Sequence, residues 1–279
     1  MADPRGDLLT LQEAADHLKI HYMTAYRWMR AGDLPAFKAG GRLRVRLADI
    51  EQFMAQRAVD VVLPHRGRTH WATHVDRLYA LLTQGQAPEA SQLVRKVIAD
   101  GAPAGQVYLD LLTPALHRIG DAWASGEISV ADEHRAAEIC AAMIARLGDS
   151  FRRRGPARGT AVTLTAPDEH HGIAAAMAAD FLRAGGFDVH HLGINVPLAD
   201  LRRFLATVPC DVICVSVTNR DGGEALYDAL GALAREEGVG LAFGGQGVAA
   251  PAAGEAGGIV ITHMEQIAPR LEELVSAGG

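Results

Sequence analysis

Residues 168–171 read Asp-Glu-His-His, directly before Gly172 and Ile173. Acids beside imidazoles are the groups that move protons or offer nitrogen to a metal. A glutamate two residues before a histidine can accept one ring N–H, fixing the tautomer and leaving the other nitrogen as a basic ligand. Glu169 and His171 have this spacing; Asp168 with His170 is the competing register. A second pair, His190-His191, falls in an expected strand, so the two side chains point to opposite faces and do not both join His170-His171 as zinc ligands. Cys140, Cys210 and Cys214 lack CxxC spacing and are expected as small core residues. No Ser-His-Asp arrangement, P-loop or HExxH occurs, so a binding protein rather than an enzyme is expected, with no catalytic residue assigned. A G-x-G-x-x-A run begins at Gly245, but a nicotinamide fingerprint belongs after a first strand, and this one follows a fourth.

The elements that must hold the His171 loop are short apolar runs separated by helix-length segments. Residues 161–166, 188–192, 211–217, 240–243 and 258–261 read as five strands, each followed by a helix, the pattern of a doubly wound, flavodoxin-like (Rossmann-like) parallel sheet. The histidine loop lies beyond the carboxyl end of the first strand, where open parallel sheets bind ligands. Helical patterning fills residues 71–154, and residues 59–70 read as a linker.

The amino-terminal segment has a different chemistry. Residues 1–58 hold nine Lys and Arg against seven Asp and Glu, although the whole chain has a net charge of −6. Thr10 and Glu13 form a capping box before Leu11, Ala14, Ala15 and Leu18, and a second short helix is expected over residues 23–31. Thr24, Tyr26, Arg27 and Arg30 on that helix have the spacing of a helix-turn-helix reader. Lys38 precedes a Gly40-Gly41 turn, and Arg42, Arg44 and Arg46 alternate with apolar residues as in a two-stranded wing with its bases toward phosphates. Trp28 is expected in the core.

The expected architecture is therefore multi-domain: a winged helix-turn-helix over 1–58, a helical section over 71–154, and a five-stranded α/β domain over 159–279. With 49% hydrophobic and 22% charged residues the chain is globular rather than disordered. No apolar run reaches the roughly 18 to 20 residues of a membrane span, and the start carries acids instead of a signal sequence, so a cytoplasmic location without membrane contact is expected.

Three resemblances extend this reading. Residues 8–56 resemble the excisionase-type, MerR-related winged helix-turn-helix family through Thr24-Ala25-Tyr26-Arg27-Trp28, Gly32-Asp33-Leu34-Pro35, Gly40-Gly41 and the basic wing. That implies double-stranded promoter DNA as partner.

Residues from 169 onward resemble the cobalamin-binding domain family. Its acid-x-His-x-x-Gly signature is met by Glu169 and His171, with Ala174 in the glycine position, its serine signature by Ser216-Val217-Thr218 and its paired glycines by Gly244-Gly245. The resemblance implies cobalamin as cofactor, with His171 as lower axial cobalt ligand, His170, Gly172 and Ile173 in the loop around it, and the nucleotide tail bordered by Ser216 and Gly244-Gly245.

Residues 120–138 resemble the four-helix cap of cobalamin photoreceptor repressors of the carotenoid-operon type and of corrinoid carriers, on Trp123, Gly126, Glu133 and His134, with Val130 between. This implies an upper-face lid, adenosylcobalamin as the form bound, homo-oligomer formation and light as the signal. Ala124 stands where the photoreceptors often carry a second cobalt-binding histidine. His134 or His117 as substitute, or a bilin as second chromophore, remain alternatives, and a corrinoid methyl carrier is the rival reading.

Overall fold

The computed structural model describes residues 8–18, 25–26, 29, 34–39, 41–50, 70–218 and 223–278. The chain divides into two units, residues 1–68 and 69–279.

In the first unit the capping box forms as its sequence dictates. The Glu13 amide donates to Thr10 Oγ1 (3.1 Å) and the Thr10 amide to Glu13 Oε2 (2.7 Å), so both otherwise orphaned donors at the start of α1 (Leu11–His17) are satisfied. Strands β2 (Phe37–Ala39) and β3 (Arg42–Arg46) form the expected wing hairpin. The sheet has three strands rather than two, because β1 (Leu8–Thr10) pairs antiparallel with β3, placing Leu9 opposite Val45. Alternation along β3 buries Val45 completely and leaves Arg46 exposed, its guanidinium 5.0 Å from the Phe37 ring centre. Arg44 is half-buried, Lys38 exposed, and Tyr26 half-buried against a core of Leu11, Ala14, Ala15, Ala25, Leu34, Val45 and Ile50. Thr24, Arg27, Trp28, Arg30 and residues 59–69 of the expected linker lie outside the described residues, as does the Arg42 side chain.

The second unit begins with four helical spans: α2 (Trp71–Thr83), α3 (Ala87–Ala99), a continuous stretch made of α4 (Ala104–Gln106), a π-helical segment Val107–Leu112 and α5 (Thr113–Ala124), and α6 (Val130–Leu147). Ser129 caps α6 by a reciprocal box with Asp132, and Asp132 and Glu133 place acids in its first turn, favourable at a helix start. The π segment has no signal in the sequence periodicity. It carries Tyr108, fully buried in the bundle core, whose hydroxyl reaches the Ile144 carbonyl (3.2 Å) and Asp180 of the next domain.

Beyond the bundle, strands β4 (Thr160–Thr165), β5 (Asp188–Gly193), β6 (Val212–Ser216), β7 (Gly240–Gly244) and β8 (Ile259–Ile261) form one parallel sheet in the order β5-β4-β6-β7-β8. The crossovers are α7 (Ile173–Gly185), α8 (Leu198–Leu205), α9 (Gly223–Glu237) and α10 (Ala250–Glu255); α11 (Ile267–Gly278) ends the chain described. Apolar side chains cover both faces, which is why the strands read as uninterrupted apolar runs. Helix α7 packs against the sheet and also against the bundle, where Met177, Ala176 and Ile173 join the bundle core.

A buried carboxylate closes that seam. Asp180 on α7, 3% exposed, accepts from the Tyr108 hydroxyl (2.7 Å) and from Arg183 Nη1 (2.8 Å), while Tyr108, Phe151 and Phe181 stack around it. Burial, then the bond to the Asp180 carboxylate, raises the Tyr108 pKa well above its ordinary 10.0.

Candidate functional site

The register of the sheet sets up the site. Thr165 pairs with Ser216, Ser216 with Gly244 and Gly244 with Ile261, so the ends of four strands stand level along the carboxyl rim. The chain leaves β4 through a tight turn: the Glu169 amide donates to the Ala166 carbonyl (3.1 Å), with Pro167 and Asp168 between and Asp168 in the left-handed region (φ 61°). The strained residue is held from the neighbouring loop, where Asn195, also left-handed (φ 50°), accepts from the Asp168 amide through Oδ1 (3.0 Å). Thr165 stitches the two loops together. Its hydroxyl donates to the Glu169 carbonyl (2.7 Å) and accepts from the Asn195 amide (2.9 Å). Residues kept in sparsely populated backbone conformations by surrounding bonds cluster at sites where a side chain must be aimed.

What this turn aims is His171. Glu169 is 3% exposed and accepts three N–H groups: the His171 amide (2.9 Å) and His171 Nδ1–H (2.5 Å) through Oε1, and the Thr218 amide (2.9 Å) through Oε2. A carboxylate receiving Nδ1–H fixes the tautomer that leaves the Nε2 lone pair available, and the imidazole is 54% exposed. Asp168 and His170, the alternative pair, are both exposed, and it is the backbone amide of Asp168 that bonds Asn195. Gly172 lies where a side chain's first carbon would come within 2.6 Å of Ile194 Cγ2, so the loop and the start of α7 pack closely on the β5–α8 connection.

Ser216, Val217, Thr218, Gly244 and Gly245 lie at the carboxyl ends of β6 and β7. Ser216 is buried, and its Oγ has no hydrogen-bond partner among the described residues, a costly arrangement unless something supplies an acceptor or donor. The Val217 amide donates to the Gly244 carbonyl (2.8 Å), and Gly247 N–H returns to the Val217 carbonyl (3.0 Å). Gly245, at φ 112°, is obligatory: a first side-chain carbon there would lie 2.2 Å from the Val217 carbonyl oxygen. A cavity of about 400 Å³ opens beside these residues, lined by Val217, Leu226, Tyr227, Gly247, Val248 and Pro251 among others.

From the cap, Trp123 and Val130 are half exposed, and with Ile194 on the rim they are the large apolar side chains left open to solvent among the described residues. Glu133 and His134 approach each other at 3.5 Å, His134 being the more exposed. His117, on the helix that bears Trp123, lies 2.8 Å (Nε2 to Nε2) from Gln246, which follows Gly245. This contact brings α5 to the carboxyl rim. The sequence offered no sign of it, nor of Thr165, Ile194 and Asn195; a left-handed asparagine has no pattern of its own to read.

The remaining candidates for metal chemistry are spent elsewhere. His191 Nδ1 and the Thr163 hydroxyl are 2.9 Å apart inside the sheet, and burial lowers the His191 pKa; His190 stacks on Phe204. Burial pushes the Cys140 thiol up to about 12 and Cys210 up to about 11, leaving both protonated at neutral pH. Among the described residues no three His, Cys, Asp or Glu side chains converge on a metal position. No helix among them is long and apolar enough to cross a membrane.

Comparison with known proteins gives matches along most of the chain. A helix-turn-helix domain model matches residues 8–58, and two B12 binding domain models match residues 75–147 and 159–272. The HTH-type transcriptional repressor CarH of Myxococcus xanthus is 28% identical over 163 residues, 58% of this chain and 54% of the relative, so the match spans about half the relative's length. Among solved structures, the monomethylamine corrinoid protein of Methanosarcina barkeri superposes with a TM-score of 0.64 at 20% identity, over 73% of this chain and 99% of that one, a likeness of fold. The chain thus carries a helix-turn-helix domain followed by two B12-binding domains, one in the helical bundle and one on the parallel sheet.

Proposed function

We propose that this protein is a cobalamin-dependent regulator of transcription, in which the amino-terminal unit binds promoter DNA and the cofactor is held between the helical cap and the carboxyl rim. The observation that carries the reading is the Glu169 clamp, which presents His171 Nε2 at a strand rim where the buried Ser216 hydroxyl has no partner among the described residues. In this assignment His171 would hold the cobalt, with His170, Gly172 and Ile173 forming its loop. Ser216 would donate to the nucleotide tail, Thr218 steadies Glu169, and Gly244 and Gly245 would border the tail, Gly245 packing its bare backbone on the Val217 carbonyl. Trp123 and Val130 cover the upper face, where apolar surface now exposed would be removed from water, and Glu133 and His134 border the upper ligand.

Bound there, adenosylcobalamin would supply a cobalt–carbon bond that light can break. The chain's own part is to couple occupancy of the rim to the cap: a ligand seated between Trp123 and His171 touches both domains. Such a ligand stabilises one arrangement of cap and sheet, and can bias association between copies only by its preference for that arrangement. One DNA-binding module with few phosphate contacts binds weakly at physiological salt, about 10⁻⁴ to 10⁻⁶ M when non-specific, so association of copies converts cofactor state into promoter occupancy.

The test is a promoter mobility shift with the full chain, run without cofactor, with adenosylcobalamin in the dark, and after illumination. The proposal expects the slowest complex in the dark with cofactor and its loss on illumination. Equal shifts in all three conditions would reject it.

A further inference from the structure

At the other end of the sheet, about 20 Å from the cofactor rim by strand length, four of the seven residues 152–158 are arginine and none is acidic. This segment lies between the two B12-binding matches and belongs to neither. Arg152 pairs with Asp149 (3.1 Å) and Arg158 with Glu272 (2.7 Å). Arg153 and Arg154 are exposed and line a crevice of about 230 Å³ with Gly155, Arg183, Gly186 and Asp188. Arg153 lies over the Gly186 turn, its Nη1 3.4 Å from where a side-chain carbon on that glycine would sit. Arg183 is set from behind: Nη1 donates to Asp180 and Nη2 to the Val189 carbonyl (3.4 Å), which leaves the rest of a five-donor fork for the crevice. Arg153, Arg154 and Arg183 thus line the crevice together with one carboxylate, Asp188, on a domain whose charge is otherwise acidic.

We propose that this crevice holds backbone phosphates of double-stranded DNA, as a sequence-independent contact. Guanidinium forks suit phosphodiester oxygens, and such contacts position without reading bases. A free nucleotide fits less well: Phe187, the aromatic of the lining, is buried and offers no stacking face. The inference rests on the DNA-binding reading above, and the test separates the two.

The full chain is titrated by fluorescence anisotropy against the promoter duplex and a scrambled duplex over a range of sodium chloride. Phosphate contacts contribute roughly 0.9 each to the slope of log affinity against log salt. R153A/R154A is expected to flatten the slope by about 2 and to weaken both duplexes alike, with R153K/R154K keeping the slope and guarding against a folding artefact. A slope unchanged in R153A/R154A overturns the crevice as a DNA contact, even if R44A/R46A in the wing flattens it. If R153A/R154A flattens the slope and the wing variant does not, the crevice stands and the helix-turn-helix assignment falls.

Discussion

Two carboxylates in the second unit are equally enclosed, each 3% exposed, and do opposite work. Asp180 sits at the seam between cap and sheet, with a tyrosine on one side and an arginine on the other, both from side chains. Glu169 sits on the rim, and its donors include two backbone amides. The first ties two packed layers together, whereas the second spends its acceptors on fixing a turn and one imidazole tautomer. Burial alone therefore says little about a carboxylate's role; the identity of its donors says more.

Exchanging the two should separate stability from binding. D180A leaves Arg183 and Tyr108 without their partner in a closed seam, and removing one member of a buried ionic network costs about 3–5 kcal/mol. The urea midpoint should fall accordingly, while His171 keeps its clamp. E169Q should do the reverse in proportion. Losing a carboxylate partner behind a ligating histidine weakens metal binding about 10- to 100-fold, read by absorbance titration with cobalamin, against a stability loss of about 1–3 kcal/mol for donors left facing an amide. If E169Q destabilises as much as D180A yet binds cofactor normally, the contrast is wrong.

S216A gives a smaller effect with a sign of its own. The hydroxyl is buried without a partner among the described residues, so its removal should leave the cofactor-free protein as stable or slightly more so, and should weaken cobalamin binding by about 1 kcal/mol, the worth of one hydrogen bond. Unfolding midpoints and the same titration, compared with wild type, check both.

The smallest effect concerns pH. The folded pKa of Tyr108 is raised, so the folded state keeps the phenol proton that the unfolded chain loses above about pH 10. Its contribution is fully present below pH 10 and is lost as pH rises toward the folded value. Y108F should remove that part of the alkaline fall in stability, at a cost near neutrality of about 1 kcal/mol for the missing bond. Denaturant melts from pH 8 to 11 measure it.

The same two carboxylates show how far a sequence can be read. Glu169 was legible because its partner is two residues away, and because a strand, loop and helix in succession place that pair at a known ligand-binding rim. The level ends of the strands are not legible, since the expected strands 211–217 and 240–243 differ in length and only the sheet register aligns Ser216 with Gly244. Nor is Asp180: its tyrosine lies 72 residues upstream, inside a π segment that helical periodicity hides. For the same reason the third strand of the wing sheet and the His117–Gln246 bridge escaped notice, each being a pairing between distant residues with no local pattern. The arginines of residues 152–158 stand out in the sequence by composition alone, because the crevice needs Arg183 and Gly186 from another stretch of chain.

The central claim is that His171 Nε2 takes the lower face of the cobalt. It is tested most directly by electron paramagnetic resonance of the full protein loaded with cob(II)alamin after growth with ¹⁵N-histidine. The account predicts that each cobalt line, split into three by an axial ¹⁴N, will be split into two by the labelled imidazole, and that H171A will lose the change. Three-line splitting that persists in labelled wild-type protein would contradict it, since the axial nitrogen would then come from the cofactor's own base.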